Sequence, residues 1–179
     1  MDEFKDLIIY HNYLKWIYIG KRIKLNFLII LLFLFNFSLS EKSFSKGDLT
    51  KQTPVEVEVF LKGKIGEAHF YDPSVLKFKT GKLYKLKLTN ISDSKHYFTS
   101  KKFTDSIFTR KIQVNKDSEK IAEIKGSILE VEIFPNNTLE WWFVPIKTGI
   151  FDDLNCKVID KNLNKSHSEM GMRGKIIIE

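Results

Sequence analysis

The sequence predicts an all-β protein built as a sandwich or barrel of short strands. Apolar and charged residues alternate with a period of two in several segments, most clearly over residues 55–59, 85–88 and 129–133. This alternation is typical of strands that have one buried and one exposed face. Turn residues separate the segments, and the chain contains 15 Phe, 6 Tyr and 3 Trp, a composition that favours a packed β-rich core.

The N-terminal segment, residues 1–40, has the pattern of an export signal. A positive cluster at residues 21–24 precedes an apolar run at residues 25–37, and the small residues Ser38 and Ser40 follow it. A positive end, a short apolar core and small residues at the −3 and −1 positions predict a secretory signal peptide cleaved after Ser40. The protein is therefore expected to be exported, with a periplasmic location.

A retained leader is the alternative, in which residues 25–40 attach the protein to the membrane. The apolar run is shorter than the roughly 20 residues that cross a bilayer comfortably, which favours cleavage. Residues 41–54 are polar and predict a linker. The folded domain is therefore expected to span residues 55–179.

One stretch of the domain, residues 99–119, departs from the alternation. Phe103, Ile107 and Phe108 lie at helical spacing within a polar stretch. The pattern predicts a short helical excursion that covers one edge of the sandwich.

The formal net charge is +7, but the basic residues mostly alternate with apolar ones along the predicted strands. Neither a nucleic-acid motif nor a dense basic cluster is present, so nucleic acid is not an expected partner. A modestly basic body favours an acidic partner protein or an anionic membrane surface. The sequence has no recognisable general base or nucleophile in a catalytic pattern, and we expect a monomeric protein that is not an enzyme.

The most informative segment lies near the C-terminus, where Cys156 is followed by His167, Met170 and Met172. Thiolate and thioether are soft ligands and imidazole is intermediate, and this combination suits copper. Two His and one Cys in a plane with a weak axial Met define the blue-copper electron-transfer site. The second His must come from elsewhere, and His96 is the best candidate because it follows a predicted strand and a polar turn.

The single cysteine also excludes two arrangements. An intramolecular disulfide is impossible, and a dinuclear copper site bridged by two cysteines is ruled out. His69 lies in a strand-like segment, and we interpret it as an ordinary strand residue, with metal ligation held in reserve.

Three segments in this order resemble the cupredoxins of the plastocyanin, azurin and pseudoazurin group. Residues 70–98 resemble the half that contains the first ligand, in which a strand led by Gly81 ends in Asn90 and a histidine follows. Residues 138–156 resemble the penultimate strands and the cysteine, and residues 167–174 resemble the turn with the second histidine and the methionine. The resemblance implies a Greek-key β-sandwich of the cupredoxin type.

The resemblance also implies one mononuclear copper, with His96, Cys156 and His167 as equatorial ligands and Met172 as the axial ligand. Met170 is the alternative axial ligand. The implied function is one-electron transfer through a type 1 site, with a redox partner protein. The alternatives are a copper carrier that delivers the metal to an acceptor, and a copper-free binding domain.

The sequence departs from the family at one point. Ten residues separate Cys156 from His167, where cupredoxins usually have only a few. Lengthening a loop costs only about 0.6 kcal/mol per doubling, so the site is still expected to close. A loop of this length is expected to loosen the site and open it to water or to an exogenous ligand.

Overall fold

The computed structural model describes residues 48–117 and 119–179, together with Trp16, Lys21, Arg22, Lys24 and Asn26. The chain divides into two compact units, Met1–Ser45 and Lys46–Glu179. Most of the predicted leader and the first half of the predicted linker lie outside the described residues. Among the described residues, no helix has the length and apolar character needed to span a membrane.

The C-terminal unit is a sandwich of two sheets. After a 3-10 helix at Leu49–Lys51, the described residues form eleven strands: β1 Val55–Gly63, β2 His69–Asp72, β3 Val75–Phe78, β4 Tyr84–Asn90, β5 His96–Thr99, β6 Ile107–Lys116, β7 Glu119–Ile124, β8 Glu130–Ile133, β9 Thr138–Pro145, β10 Gly149–Asn155 and β11 Arg173–Ile178. One sheet has the order β2-β1-β4-β9-β6-β7 and the other β3-β11-β10-β5-β8. The predicted all-β sandwich is confirmed.

Buried apolar residues alternate with more exposed residues along the strands, and the buried ones form the core. In β4, Tyr84, Leu86 and Leu88 are buried while the intervening residues are only partly so. Trp141 on β9 and Phe98 on β5 come from different sheets, and their ring centroids lie 6.4 Å apart. Each buried side chain of this size contributes about 1.5–3 kcal/mol relative to an exposed one, so contact between the two inner faces is the main stabilising element.

The segment predicted as a helical excursion is only briefly helical. A single turn, Lys101–Thr104, is capped by Ser100, whose hydroxyl accepts a hydrogen bond from the Phe103 N–H. Residues 107–116 instead form β6, which corrects the prediction for that part. The register of β6 against β9 shifts between Thr109 and Lys111. Such a bulge changes which residues face inward, and the apolar residues of β6 therefore do not alternate with a regular period of two.

Four chain segments meet at one end of the sandwich. His69 begins β2 and His96 begins β5, while Cys156 directly follows β10 and His167 lies in the turn that leads into β11. Their side chains are all fully buried. This meeting point is the candidate metal centre.

Candidate metal centre

Three of the predicted ligands lie in mutual contact. The Cys156 Sγ atom is 3.8 Å from His96 Nδ1 and 3.6 Å from His167 Nδ1. The two Nδ1 atoms are 3.0 Å apart. His96 lies 60 positions before Cys156 and His167 lies 11 positions after it, yet the fold brings one sulfur and two nitrogens to the same point.

The spacing of these three atoms fits a metal ion. Around a trigonal metal with nitrogens at about 2.0 Å and sulfur at about 2.3 Å, the nitrogen and sulfur atoms are about 3.7 Å apart. The observed sulfur–nitrogen separations of 3.6 and 3.8 Å match that value. The two nitrogens are 3.0 Å apart, closer than the about 3.5 Å of an ideal trigonal arrangement, so a metal would hold them at a narrower angle. The second nitrogen of His167, Nε2, is buried and has no hydrogen-bond partner in the part of the chain that the structure describes.

Hydrogen bonds fix the orientation of His96 and Cys156. The Nε2 atom of His96 is 2.7 Å from the Ser92 hydroxyl, so its Nδ1 atom is the one directed at the cluster. The Tyr97 N–H donates to the Cys156 sulfur over 3.3 Å. The Ser92 contact holds the His96 ring in one tautomer and one orientation, and the Tyr97 bond holds the Cys156 sulfur in place.

Asn90 builds the turn that carries Ser92. Its amide group donates to the carbonyls of Ser94 and Ile133, and its carbonyl accepts from the Ser92 N–H, all within 3.0 Å. The buried asparagine thereby links the end of β4 to β8 and shapes the approach to His96. Its place at the end of a strand before the first histidine is the feature on which the resemblance was based.

The ten residues between Cys156 and His167 form a closed hairpin. The His167 N–H donates to the Val158 carbonyl at 2.8 Å and the Ser168 N–H to the Cys156 carbonyl at 2.9 Å. Ile159 and Ser166 form a further β-bridge. The expectation of a loosened, water-open site is therefore wrong: backbone pairing keeps the two ends of the hairpin together, and Cys156 and His167 are both 0% exposed.

Met172 and Met170 differ in their surroundings. Met172 is fully buried in the core, and its N–H donates to the His167 carbonyl at 2.8 Å. Met170 is only partly buried. The difference favours Met172, and its role as axial ligand stays a prediction.

His69 is the residue that sequence reasoning ranked too low. It is 0% exposed, and its ring stacks on that of His167 with centroids 3.7 Å apart. One ring nitrogen of each of His69, His96 and His167 lies within 4.8 Å of the others. A signal was present in the sequence, because His69 shares its strand face with Tyr71, and a polar residue on a core face is unusual.

Burial dominates the electrostatics of the cluster. It lowers the pKa of His96 to about 3, with further lowering by His167 and His69. It also lowers the pKa of His167 to about 4, with His69 acting in the same direction and Asp160 opposing it. Burial raises the pKa of the Cys156 thiol, and hydrogen bonds from the N–H groups of Tyr97 and Val158 lower it to a smaller extent. Neutral imidazoles are ready to bind a metal, whereas the thiol must lose a proton when it does.

These shifts predict that the metal-free protein loses stability as the pH falls from about 6.5. Between an unfolded pKa of about 6.5 and the lower folded values, the unfolded chain binds more protons, which favours unfolding. With His96 and His167 both contributing, we expect a loss of roughly 4 kcal/mol between pH 7 and pH 5. Urea unfolding at both pH values measures it. A His96→Gln/His167→Gln variant is expected to show a flatter profile, and an equal slope in both proteins would contradict the assignment.

Comparison with known proteins supports the fold. No family model and no curated protein sequence matches the chain. Among solved structures, copper nitrite reductase from Nitrosomonas europaea is similar with a TM-score of 0.50 and 8% identity, over 75% of this chain and 52% of that chain. A multicopper oxidase from Campylobacter jejuni has a TM-score of 0.47 and 14% identity, over 76% and 32%. Auracyanin from Roseiflexus castenholzii has a TM-score of 0.41 and 14% identity, over 72% and 99%.

The chain thus spans about half of the nitrite reductase, a third of the oxidase and nearly all of auracyanin. All three proteins have the cupredoxin fold. At these identities the likeness concerns the fold alone. The two-sheet sandwich and its likeness to the nitrite reductase show that the chain has the cupredoxin fold.

Proposed function

We propose that this protein binds one copper ion through His96, Cys156 and His167, with Met172 as a fourth ligand, and acts as a one-electron carrier outside the cytoplasm. The observation that carries the proposal is the buried triangle of Sγ and two Nδ1 atoms, with sides of 3.0, 3.6 and 3.8 Å. One thiolate and two imidazoles are the equatorial set of a blue-copper centre.

The chemistry of the ligands favours copper. A bound copper ion would supply the exchange of a single electron, while the protein holds the ligands in place. The hydrogen bond that the Tyr97 N–H donates to the Cys156 sulfur withdraws electron density from the sulfur. Hydrogen bonding at the cysteine sulfur tunes the redox potential of blue-copper centres. The Ser92 contact keeps the His96 ring in place in either oxidation state.

Burial of the ligands supports electron transfer over copper delivery. A delivery protein must exchange ligands with its acceptor, which requires an accessible site. Here Cys156, His96 and His167 are 0% exposed, and the closed hairpin covers the cysteine and the second histidine. A rigid, covered site retains its metal and rearranges little on oxidation or reduction.

The same burial argues against a copper-free binding domain. A buried polar atom without a hydrogen-bond partner costs about 1–3 kcal/mol. Among the described residues, His167 Nε2 and the ring nitrogens of His69 are in this state, so the fold keeps this group of imidazoles at a cost. A purely structural core has no reason to gather three imidazoles and a thiol at one point, whereas a metal bound at the Nδ1 atoms and the sulfur would make use of them.

We further propose that the redox partner is an acidic protein, since the chain carries a net charge of +7. Export follows from the leader at residues 1–40, either as a cleaved signal or as a membrane attachment.

Titration of the full-length protein with Cu(II) tests the function. We expect saturation at one copper per chain and an intense visible thiolate-to-copper band, which a one-electron reductant bleaches and an oxidant restores. Visible absorption and metal analysis record both. A colourless protein that binds only Cu(I) would favour copper delivery, and a protein that retains no copper would overturn both functions.

A further inference from the structure

His69 has the properties of an unused ligand. Its side chain is 0% exposed, yet neither Nδ1 nor Nε2 has a hydrogen-bond partner among the described residues. Since each unsatisfied buried polar atom costs about 1–3 kcal/mol, an apolar residue would serve the core better at this position. The imidazole therefore indicates a role that the metal-free fold does not supply.

The position of the ring indicates which role this is. A ring nitrogen of His69 lies within 4.8 Å of ring nitrogens of both His96 and His167. Across the β1–β2 pair, the partner of His69 is Gly63. A Cβ atom at Gly63 would lie 2.2 Å from His69 Nδ1. The glycine, with a φ of 146°, thus leaves the space that this nitrogen occupies.

A carboxylate orients the other side of the ring. The Asp160 Oδ2 atom is 3.6 Å from His69 Nε2, and both side chains are fully buried. Carboxylate, histidine and metal in this order are a common arrangement in metal sites, because the carboxylate fixes the tautomer of the ligand. With Nε2 facing the carboxylate, Nδ1 is the nitrogen that has neither a hydrogen-bond partner nor a charged neighbour among the described residues.

The hairpin between Cys156 and His167 is what delivers this carboxylate. Asp160 accepts 2.8 Å hydrogen bonds from the N–H groups of Gly66, Asn162 and Leu163. These bonds lower the pKa of Asp160 to about 2, with the Gly66 bond as the largest cause. The three bonds anchor the carboxylate both to its own hairpin and to the turn that leads into β2.

We propose that His69 is a further ligand of the copper ion, beside Met172, and that Asp160 is its positioning residue, so that the centre offers three imidazoles, one thiolate and one thioether. The inference rests on the proposed function, since it adds a ligand to the same site. A third imidazole is a harder donor than a thioether, and it favours Cu(II) relative to Cu(I). The ten residues between Cys156 and His167 would then have a role in the site, because they place the Asp160 carboxylate beside His69.

The test uses full-length His69→Leu and Asp160→Asn variants. Leucine has a volume close to that of histidine and cannot bind a metal. We expect His69→Leu to keep the thiolate-to-copper band, because Cys156 remains, but to shift it and to reduce the nitrogen couplings in the electron paramagnetic resonance spectrum. Cu(II) affinity, measured by competition with a chelator, should fall about tenfold in Asp160→Asn and further in His69→Leu.

Unfolding of the metal-free proteins separates ligation from a structural role. Because leucine removes the unsatisfied Nδ1 atom and Asp160 keeps its three N–H bonds, metal-free His69→Leu should be about as stable as the wild type. Tyr71→Phe is the matched control, since it alters the same face of β2 without altering a proposed ligand, and it should retain the wild-type Cu(II) affinity.

The outcomes keep the two proposals distinguishable. A wild-type protein with the thiolate band, together with a His69→Leu variant of unchanged affinity and spectrum, would overturn ligation by His69 and leave the proposed function standing. A destabilised metal-free variant with an unchanged spectrum would assign His69 to the fold alone, and would overturn it too. Absence of the thiolate band in the wild type would remove the proposed function, and this inference with it.

Discussion

Replacing Cys156 with serine is expected to abolish the visible band of the copper-loaded protein completely. The band arises from charge transfer between the thiolate and copper, and this chain has one cysteine. Serine is close in size, and its hydroxyl can still accept the hydrogen bond that the Tyr97 N–H donates to sulfur. Visible absorption during a Cu(II) titration measures the loss.

Thermal unfolding of the metal-free proteins is the control for this substitution. The wild type and Cys156→Ser should unfold at similar temperatures, so that a missing band reports the ligand and not the fold. A band that survives the substitution would exclude Cys156 as a ligand and contradict the proposed centre.

The largest expected effect on folding comes from Trp141→Ala. Trp141 is fully buried, its ring packs against Phe98, Phe103 and Phe143, and its indole N–H donates to the Thr109 hydroxyl at 3.1 Å. Truncating a buried aromatic residue leaves a cavity and typically costs about 3–5 kcal/mol. Urea unfolding of the metal-free protein measures the change in the free energy of unfolding.

Trp142→Ala is the matched control on the same strand. The Trp142 ring lies on the outer face of β9, where its main contacts are the cations of Lys85, Arg110 and Lys111 at 4.7–5.7 Å from the ring centre. Three exposed cation–π contacts contribute at most about 1.5–3 kcal/mol together, and truncation on the outer face leaves no cavity, so the loss should be smaller than for Trp141. Equal losses of unfolding free energy in the two variants would contradict the assignment of Trp141 to the core face and Trp142 to the solvent face of β9.

The strands could be predicted where one face stays buried along their whole length. Tyr84, Leu86 and Leu88 alternate without interruption, and β4 was found from them. β6 was mistaken for part of a helical excursion because its bulge moves the inward positions from Ile107 and Thr109 to Ile112 and Val114. A bulge is set by pairing with the neighbouring strand, and that pairing is not visible in local sequence.

The site could be predicted in part for a similar reason. His96, Cys156 and His167 stand in segments with recognisable order, and the structure brings them together. His69 lies 27 positions before His96 in an ordinary strand. It is placed at the cluster by long-range contacts, namely the pairing of β2 with β1 and the bond from its N–H to the Met170 carbonyl. The hairpin was taken for a loosening insertion, because neither its closed backbone pairing nor the link from Asp160 to Gly66 is apparent from spacing alone.

The distance along the chain between the proposed ligands has a consequence for protein abundance. His96 and Cys156 are 60 positions apart, so an unfolded chain could gather them only by closing a long loop at considerable entropic cost. Copper would therefore bind the folded state far more tightly than the unfolded one. A ligand present at about a hundred times its dissociation constant stabilises the folded state by about 2.7 kcal/mol. Cells short of copper would hold this protein closer to unfolding and to proteolysis, and its steady-state level would follow the copper supply.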